Sequence, residues 1–184
     1  MTARRPQRSR DPEGRRAALA TAAIEVIAEV GIARTTHRAV AARAGLPLGA
    51  TTYYFPSLDD LVAAGLAVAT EALGAELRSW AERLDTAEDL PGALIGLVEA
   101  YLTDRRRARL EYDLYLAAAR DPALRPLAEG CLHGFRDLLE PRLGPEAARV
   151  VVALLDGAML QALVTDTDLD GPALTAAIRR LHPR

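Results

Sequence analysis

The sequence contains no lysine: all 23 of its cationic side chains are arginine. It is nearly as short of cysteine, with Cys131 alone among 184 residues. An intrachain disulfide is therefore excluded, and so is a metal site built from several thiolates. Aromatic residues make up only 4% of the chain. The core must then be filled by aliphatic side chains, here mostly Ala, Leu and Val, and Ala and Leu are strong helix formers. No unbroken apolar run approaches the roughly 20 residues of a membrane span, so no membrane partner is expected. The arginine-rich N-terminus is not followed by a continuous apolar segment and cleavage site. It does not read as a secretory signal, and a cytoplasmic location is expected. The three histidines, His37, His133 and His182, include no pair at the i, i+4 spacing that with a carboxylate would make a metal site,. No glycine-rich phosphate loop and no acid–base or nucleophile set emerges, so neither a cofactor, a metal nor an enzymatic activity is expected.

The net charge is −2, but it is unevenly placed. Residues 1–58 hold nine arginines against four carboxylates, and the remainder hold 14 arginines against 21 carboxylates. A basic end joined to an acidic body is the electrostatic footprint of a polyanion-binding segment at one end only.

Hydrophobic periodicity predicts helices throughout, about nine of them, and no strand. Leu19, Ala22, Ala23, Val26, Ile27 and Val30 recur at three and four, the buried face of a helix over 14–30 that Gly31 stops,. Thr36 caps a second short helix over 37–44, with Val40 and Ala41 inward,. Gly45 supplies a sharp turn, and Pro47 fits the first turn of a third helix that Pro56 ends,. Ser57 and Asp60 form a capping box for a long fourth helix reaching Leu84,. Further helices are expected over 89–103, 107–119, 121–143, 145–165 and 172–181,.

Two short helices joined by a tight glycine turn are the layout of a helix-turn-helix DNA reader. The segments AARAGLPLG and TTYYFPSLDDL, after a first helix ending at Gly31, resemble the DNA-binding region of the TetR (tetracycline-repressor-type) regulators. Gly45, Gly49, Tyr53, Tyr54, Phe55 and Ser57 carry the likeness over about 45 residues, and Leu154–Val164 is similar to the C-terminal half of such regulators. The resemblance implies an all-α homodimer whose first three helices bind a double-stranded DNA operator and whose body takes a small-molecule effector. Residue by residue, it implies that Thr36 and Arg38 contact phosphate, that Leu48, Gly49, Ala50 and Thr52 face the groove, and that Tyr53 and Tyr54 meet the backbone or base edges. Two positions depart from the family pattern. Leu48 stands where many members carry a polar or basic residue, and Leu58 where many carry a lysine.

The residues themselves fit that chemistry. Gly49 and Ala50 allow close approach, Thr51 and Thr52 donate or accept, and the tyrosine hydroxyls reach phosphate oxygens,. Leu48 offers an apolar contact to thymine methyls. Phe55 reads as core. Arg4, Arg5, Arg8 and Arg10 read equally well as a minor-groove arm or as a solvated tail,. Arg105, Arg106, Arg107 and Arg109 lie in the body and read as a solvated connection.

Three segments result: a flexible basic tail (1–12), a helix-turn-helix domain (13–58), and an effector-binding and dimerisation domain (59–184). Trp80, Tyr101, Tyr112, Tyr115, His133, Phe135 and Gln161 are candidate linings of a pocket between helices, for a mostly apolar effector with one or two polar groups,. The stretches 145–165 and 172–181 are apolar on more than one face, which calls for full burial or, as the preferred reading, for a two-fold four-helix interface with a second copy. The whole reads as a transcriptional regulator, a repressor released from a palindromic operator by its effector. The competing reading is a helical protein that sequesters a small molecule and keeps the N-terminal bundle as a vestige.

Overall fold

The computed structural model describes residues 11–181, and all regular structure among them is helical. Nine α-helices follow one another among these residues: α1 Pro12–Val30, α2 His37–Ala44, α3 Leu48–Tyr54, α4 Leu58–Asp85, α5 Leu90–Leu102, α6 Arg105–Ala117, α7 Arg125–Leu143, α8 Pro145–Thr165 and α9 Gly171–Leu181. Single 3-10 turns lie at Ile32–Arg34 and Pro122–Leu124. The candidate arm arginines, Arg4, Arg5, Arg8 and Arg10, and also His182, lie outside the described residues.

The chain divides into two compact units within α4, between Val68 and Ala69. Among the described residues the first begins at Asp11, whose carboxylate accepts the Gly14 N–H at 3.0 Å, so Asp11 caps α1 and Pro12 belongs to it rather than to a tail. Its core joins Leu19, Ala22, Ala23 and Val26 of α1 to Val40 of α2, to Phe55 and to Leu61 of α4. Leu58 and Ala64 of α4 pack on the same cluster. That packing carries the first unit past the 58/59 division read from the sequence. At Gly65 the backbone of α4 comes so near α1 that a Cβ would stand 3.2 Å from the Ala20 carbonyl oxygen. The Ser57–Asp60 box forms as expected: Ser57 Oγ accepts the Asp60 N–H at 3.1 Å and donates to its carboxylate at 2.6 Å.

The second unit is built on α5 and α8. Leu94, Leu97 and Val98 of α5 meet Val151, Val152, Leu155 and Met159 of α8, closed by Trp80 and Leu84, Leu139 and Leu143, and Ile178. By length and composition α8 is able to cross a membrane, a property missed by counting only unbroken apolar runs. Its buried residues fill this core, which is the place of a core helix.

Several boundaries shift from those read in the sequence. Helix α6 starts two residues early because Asp104 caps it, accepting the Arg107 N–H at 3.0 Å. Helix α7 begins only at Arg125, after the 3-10 turn. The Thr86 hydroxyl donates to the Arg83 carbonyl at the end of α4. The arginine run is engaged within the unit. Arg105 donates to the Ala162 and Thr167 carbonyls at 3.1 and 2.8 Å, and Arg109 pairs with Asp166 at 3.1 Å.

Candidate nucleic-acid interface

The helix-turn-helix is assembled by local rules. Thr36 adopts an extended backbone, and its hydroxyl accepts the Ala39 N–H at 3.1 Å, a cap worth about 1 kcal/mol,. At the other end of α2, Gly45 sits in the left-handed region at φ 64°. Its N–H reaches the Ala42 carbonyl at 3.2 Å, and the Leu46 N–H reaches that of Ala41 at 2.9 Å. This pair of bonds is the Schellman closure, and it turns Leu46 back onto the core,. Pro47 is extended and caps α3, which begins one residue later, at Leu48. Phe55 is extended too, as the residue before Pro56 must be,.

At about 100° per residue, Leu48, Thr52, Gly49 and Tyr53 fall in that order within an arc of about 140° on α3. All four are exposed, Leu48 by 45% and Tyr53 by 79%. Ala50 and Tyr54 lie off this face, half-buried, and Tyr54 packs on the N-terminal core. Thr51 points the other way. It is fully buried, and its hydroxyl donates to the Leu48 carbonyl at 2.7 Å, so it is withdrawn from any role in contact. Thr36 and Arg38 are exposed at the start of α2. His37 is half-buried with its Nδ1 sheltered and unpartnered.

The remaining charges hold the scaffold. Arg43 pairs with Glu25 at 3.3 Å and with Glu29, bolting α2 to α1, and the hydrogen bond to Glu29 holds its guanidinium well protonated. The Arg16 guanidinium stands 5.0 Å over the Phe55 ring.

In the second unit the sequence-selected aromatics form two groups. Trp80 is buried and meets Phe135 edge-on at 5.2 Å and Tyr101 at 6.5 Å. Tyr112 and Tyr115 meet at 6.3 Å. His133 and Gln161 are exposed and belong to neither group. A shallow cleft of about 700 Å3 opens between the α7–α8 turn and the end of α9, lined by residues such as Leu143, Val150 and Arg180, and by none of those selected.

Sequence reasoning passed over the polar partners of the first group. The Trp80 indole N–H donates to Glu76 at 2.7 Å, Arg107 bridges Glu76 and Glu111 at 2.8 Å each, and the Tyr101 hydroxyl donates to Glu111 at 2.8 Å. Burial pushes the Glu76 carboxyl up, but the bonds from Arg107 and Trp80 bring it below its ordinary value. Burial, then the Glu111 charge, pushes the Tyr101 hydroxyl far above the usual phenol range. The available signal was spacing: Glu76/Trp80 and Arg107/Glu111 are both i,i+4 pairs. Asp156, beside the tyrosine pair, was missed as well, and burial raises its carboxyl. The Cys131 thiol is half-buried and pushed up to about 12 by burial and then by Asp156, which makes it unreactive,.

A helix-turn-helix unit followed in the chain by an all-helical unit is the layout of a DNA-binding protein with a second domain of its own,. Comparison with known proteins specifies which kind. The family profile described as "Bacterial regulatory proteins, tetR family" matches residues 19–64, and "Tetracyclin repressor-like, C-terminal domain" matches residues 85–184. A TetR-family member from Streptomyces coelicolor A3 is 44% identical, with 92% of this chain and 99% of that chain covered and a TM-score of 0.76. The multidrug binding protein EbrR complexed with malachite green is 43% identical, with 92% and 99% covered and a TM-score of 0.75. EbrR complexed with proflavin is 44% identical, with 91% and 99% covered and a TM-score of 0.68. No curated protein matches. The chain belongs to the TetR family of transcriptional regulators, a family of DNA-binding proteins.

Proposed function

We propose that this chain is an effector-released repressor that binds a palindromic operator as a homodimer. The observation that carries the reading is the exposed face of α3. Leu48, Gly49, Thr52 and Tyr53 are turned to solvent while Thr51 and Phe55 fill the core behind them. Such a face enters a major groove, with Thr36 and Arg38 at the start of α2 and the Tyr54 hydroxyl at the end of α3 fixing the register on phosphates. Two heads related by a two-fold axis then meet half-sites about 34–36 Å apart.

The second copy is supplied by α8. Val150, Ala153, Gly157, Leu160 and Val164 follow one another at alternating steps of three and four, the spacing of a helix-pairing seam,. Val150, Leu160 and Val164 are exposed in the single chain, and Ala153 and Gly157 let a partner helix approach closely.

The effector is a mostly apolar small molecule held in the second unit near Trp80, Tyr101 and Phe135, with Tyr112, Tyr115, His133 and Gln161 as outer candidates. The binding of malachite green and proflavin by EbrR supports this reading. Release follows from affinity: the effector dislodges the protein only to the extent that it prefers the conformation that does not fit the operator. The chain passes between its two units inside the continuous helix α4, the natural carrier of such a change. The protein works in the cytoplasm, where its operator is.

A gel-shift with the DNA upstream of its own gene tests the function. A specific complex that is salt-sensitive and dissociates on adding malachite green supports it. Tight dye binding with no DNA complex favours a sequestering protein.

A further inference from the structure

Arg107 occupies a site built for a cation. Its guanidinium lies between two carboxylates, 2.8 Å from Glu76 on α4 and 2.8 Å from Glu111 on α6, and 5.8 Å over the ring of Tyr101 on α5. Each of those partners is also held by an aromatic residue. Glu76 accepts from the Trp80 indole, and Glu111 accepts from the Tyr101 hydroxyl. The result is a closed chain, Trp80–Glu76–Arg107–Glu111–Tyr101, drawn from three helices, with Phe135 of α7 edge-on to Trp80. Two carboxylates, one aromatic face and neighbouring ring edges are the groups that recognise a flat organic cation.

The arginine is not sealed in. The Arg107 side chain is 41% exposed, against 27% for Glu76 and 39% for Glu111, so the charge can swing out to water while the more covered Glu76 carboxylate, held by the Trp80 indole, stays. An arginine side chain regains its hydration on leaving, whereas the two neighbouring carboxylates repel once nothing stands between them. An incoming cation removes that repulsion, and its rings cover the Tyr101 face that the guanidinium leaves, next to the Trp80 edge.

We propose that Arg107 is a built-in stand-in for a cationic aromatic effector, which binds by exchanging with the guanidinium between Glu76 and Glu111. This deepens the effector reading above and rests on it: it assigns the charge class of the ligand and the event that ligand binding triggers. The exchange unties α6 from α4, because Arg107 is the link between Glu76 and Glu111.

Trp80 is the only tryptophan in the chain, so its fluorescence reports on this site alone. The test compares N-methylphenanthridinium with phenanthridine, the same ring system with and without a fixed positive charge, titrated into the full chain. The wild type, Arg107→Gln and Arg107→Lys are measured. Arg107→Gln vacates the site and is expected to bind the cation at least about tenfold more tightly than wild type, a difference of one decade in Kd. Arg107→Lys keeps a charge between the carboxylates and so protects the fold, but it lacks the two-pronged grip. It is expected to fall between the two. Phenanthridine affinity should change little across the series, and the cation should perturb Trp80 emission in every folded variant. Equal cation affinity in wild type and Arg107→Lys, or cation binding without a change in Trp80 emission, would overturn the exchange. Operator binding followed in the same titrations keeps the two claims apart. Cation-driven DNA release with Trp80 silent sinks the exchange alone, whereas tight cation binding at Trp80 by a protein with no operator complex sinks the repressor reading.

Discussion

Tyr53 stands edge-on to Tyr54, ring centroids 5.0 Å apart and planes at 86°, yet the two rings have different surroundings. Tyr53 is 79% exposed, whereas Tyr54 rests on the core of the N-terminal unit. The same substitution must therefore act differently at the two positions. Tyr53→Ala is expected to weaken operator binding by about 1–3 kcal/mol with an unchanged Tm. Tyr54→Ala is expected to lower stability as well, by about 1–3 kcal/mol for a partly buried ring. Fluorescence anisotropy with operator DNA and thermal unfolding separate the two. Equal losses of stability would contradict the assignment.

The two glycines of the helix-turn-helix answer to opposite demands. Gly45 is left-handed at φ 64°, with open space where a Cβ would go. Gly45→Ala is thus a pure backbone penalty, about 1–2 kcal/mol. Gly49 lies inside α3, also with open space around it, and Gly49→Ala is expected to stabilise by about 0.5–1 kcal/mol while thickening the face offered to DNA,. Thermal unfolding gives both signs. A Gly45→Ala variant as stable as the parent would rule out the turn described.

These positions also mark what the sequence made legible. Thr36, Gly45, Pro56 and the Ser57–Asp60 box could be read because each acts through its own neighbours along the chain. Thr51 and Thr52 could not be told apart in that way. Only the rotation of α3 on the core decides that one hydroxyl is buried against Leu48 and the other exposed. The membrane-length helix α8 escaped because Glu146, Arg149 and Asp156 interrupt its apolar run. Among the pocket candidates, choosing aromatic residues found Trp80, Tyr101 and Phe135. It passed over Glu76, Arg107 and Glu111, because a bridge from residue 76 to residue 107 exists only once α4 and α6 are packed.

Asp156 gives the second unit a pH signature. Burial holds its carboxyl above its ordinary value, an effect that the Tyr112 hydroxyl and Arg136 offset only in part. A carboxyl raised by folding favours the folded state when protonated and loses that advantage as pH rises through its folded pKa. At neutral pH the charge is then a cost, and Asp156→Asn is expected to raise Tm. The gain should shrink on acidification and vanish below the pKa of an ordinary aspartate. A variant with lower Tm at pH 7 would mean that the carboxylate is compensated.

The α8 seam is tested by charge. Val164 is 75% exposed in the single chain, so Val164→Glu leaves the fold of one protomer intact. Placed against its own copy, the pair of carboxylates repels across the two-fold axis. Sedimentation at micromolar concentration should give a dimer for the parent and a monomer for Val164→Glu. Operator affinity should fall together with dimerisation. A dimeric variant would move the interface elsewhere.

The central claim is that the exposed face of α3 is the surface that meets DNA, and Leu48→Glu tests it most directly. Leu48 is 45% exposed on that face, so a glutamate there can keep its carboxylate in water and sets a negative charge against the duplex,. In an operator titration by fluorescence anisotropy, the variant should lose at least about a hundredfold in affinity, close to 3 kcal/mol, while its circular dichroism and Tm match the parent. Parental affinity for the operator in a folded Leu48→Glu protein would show that some other surface reads the DNA.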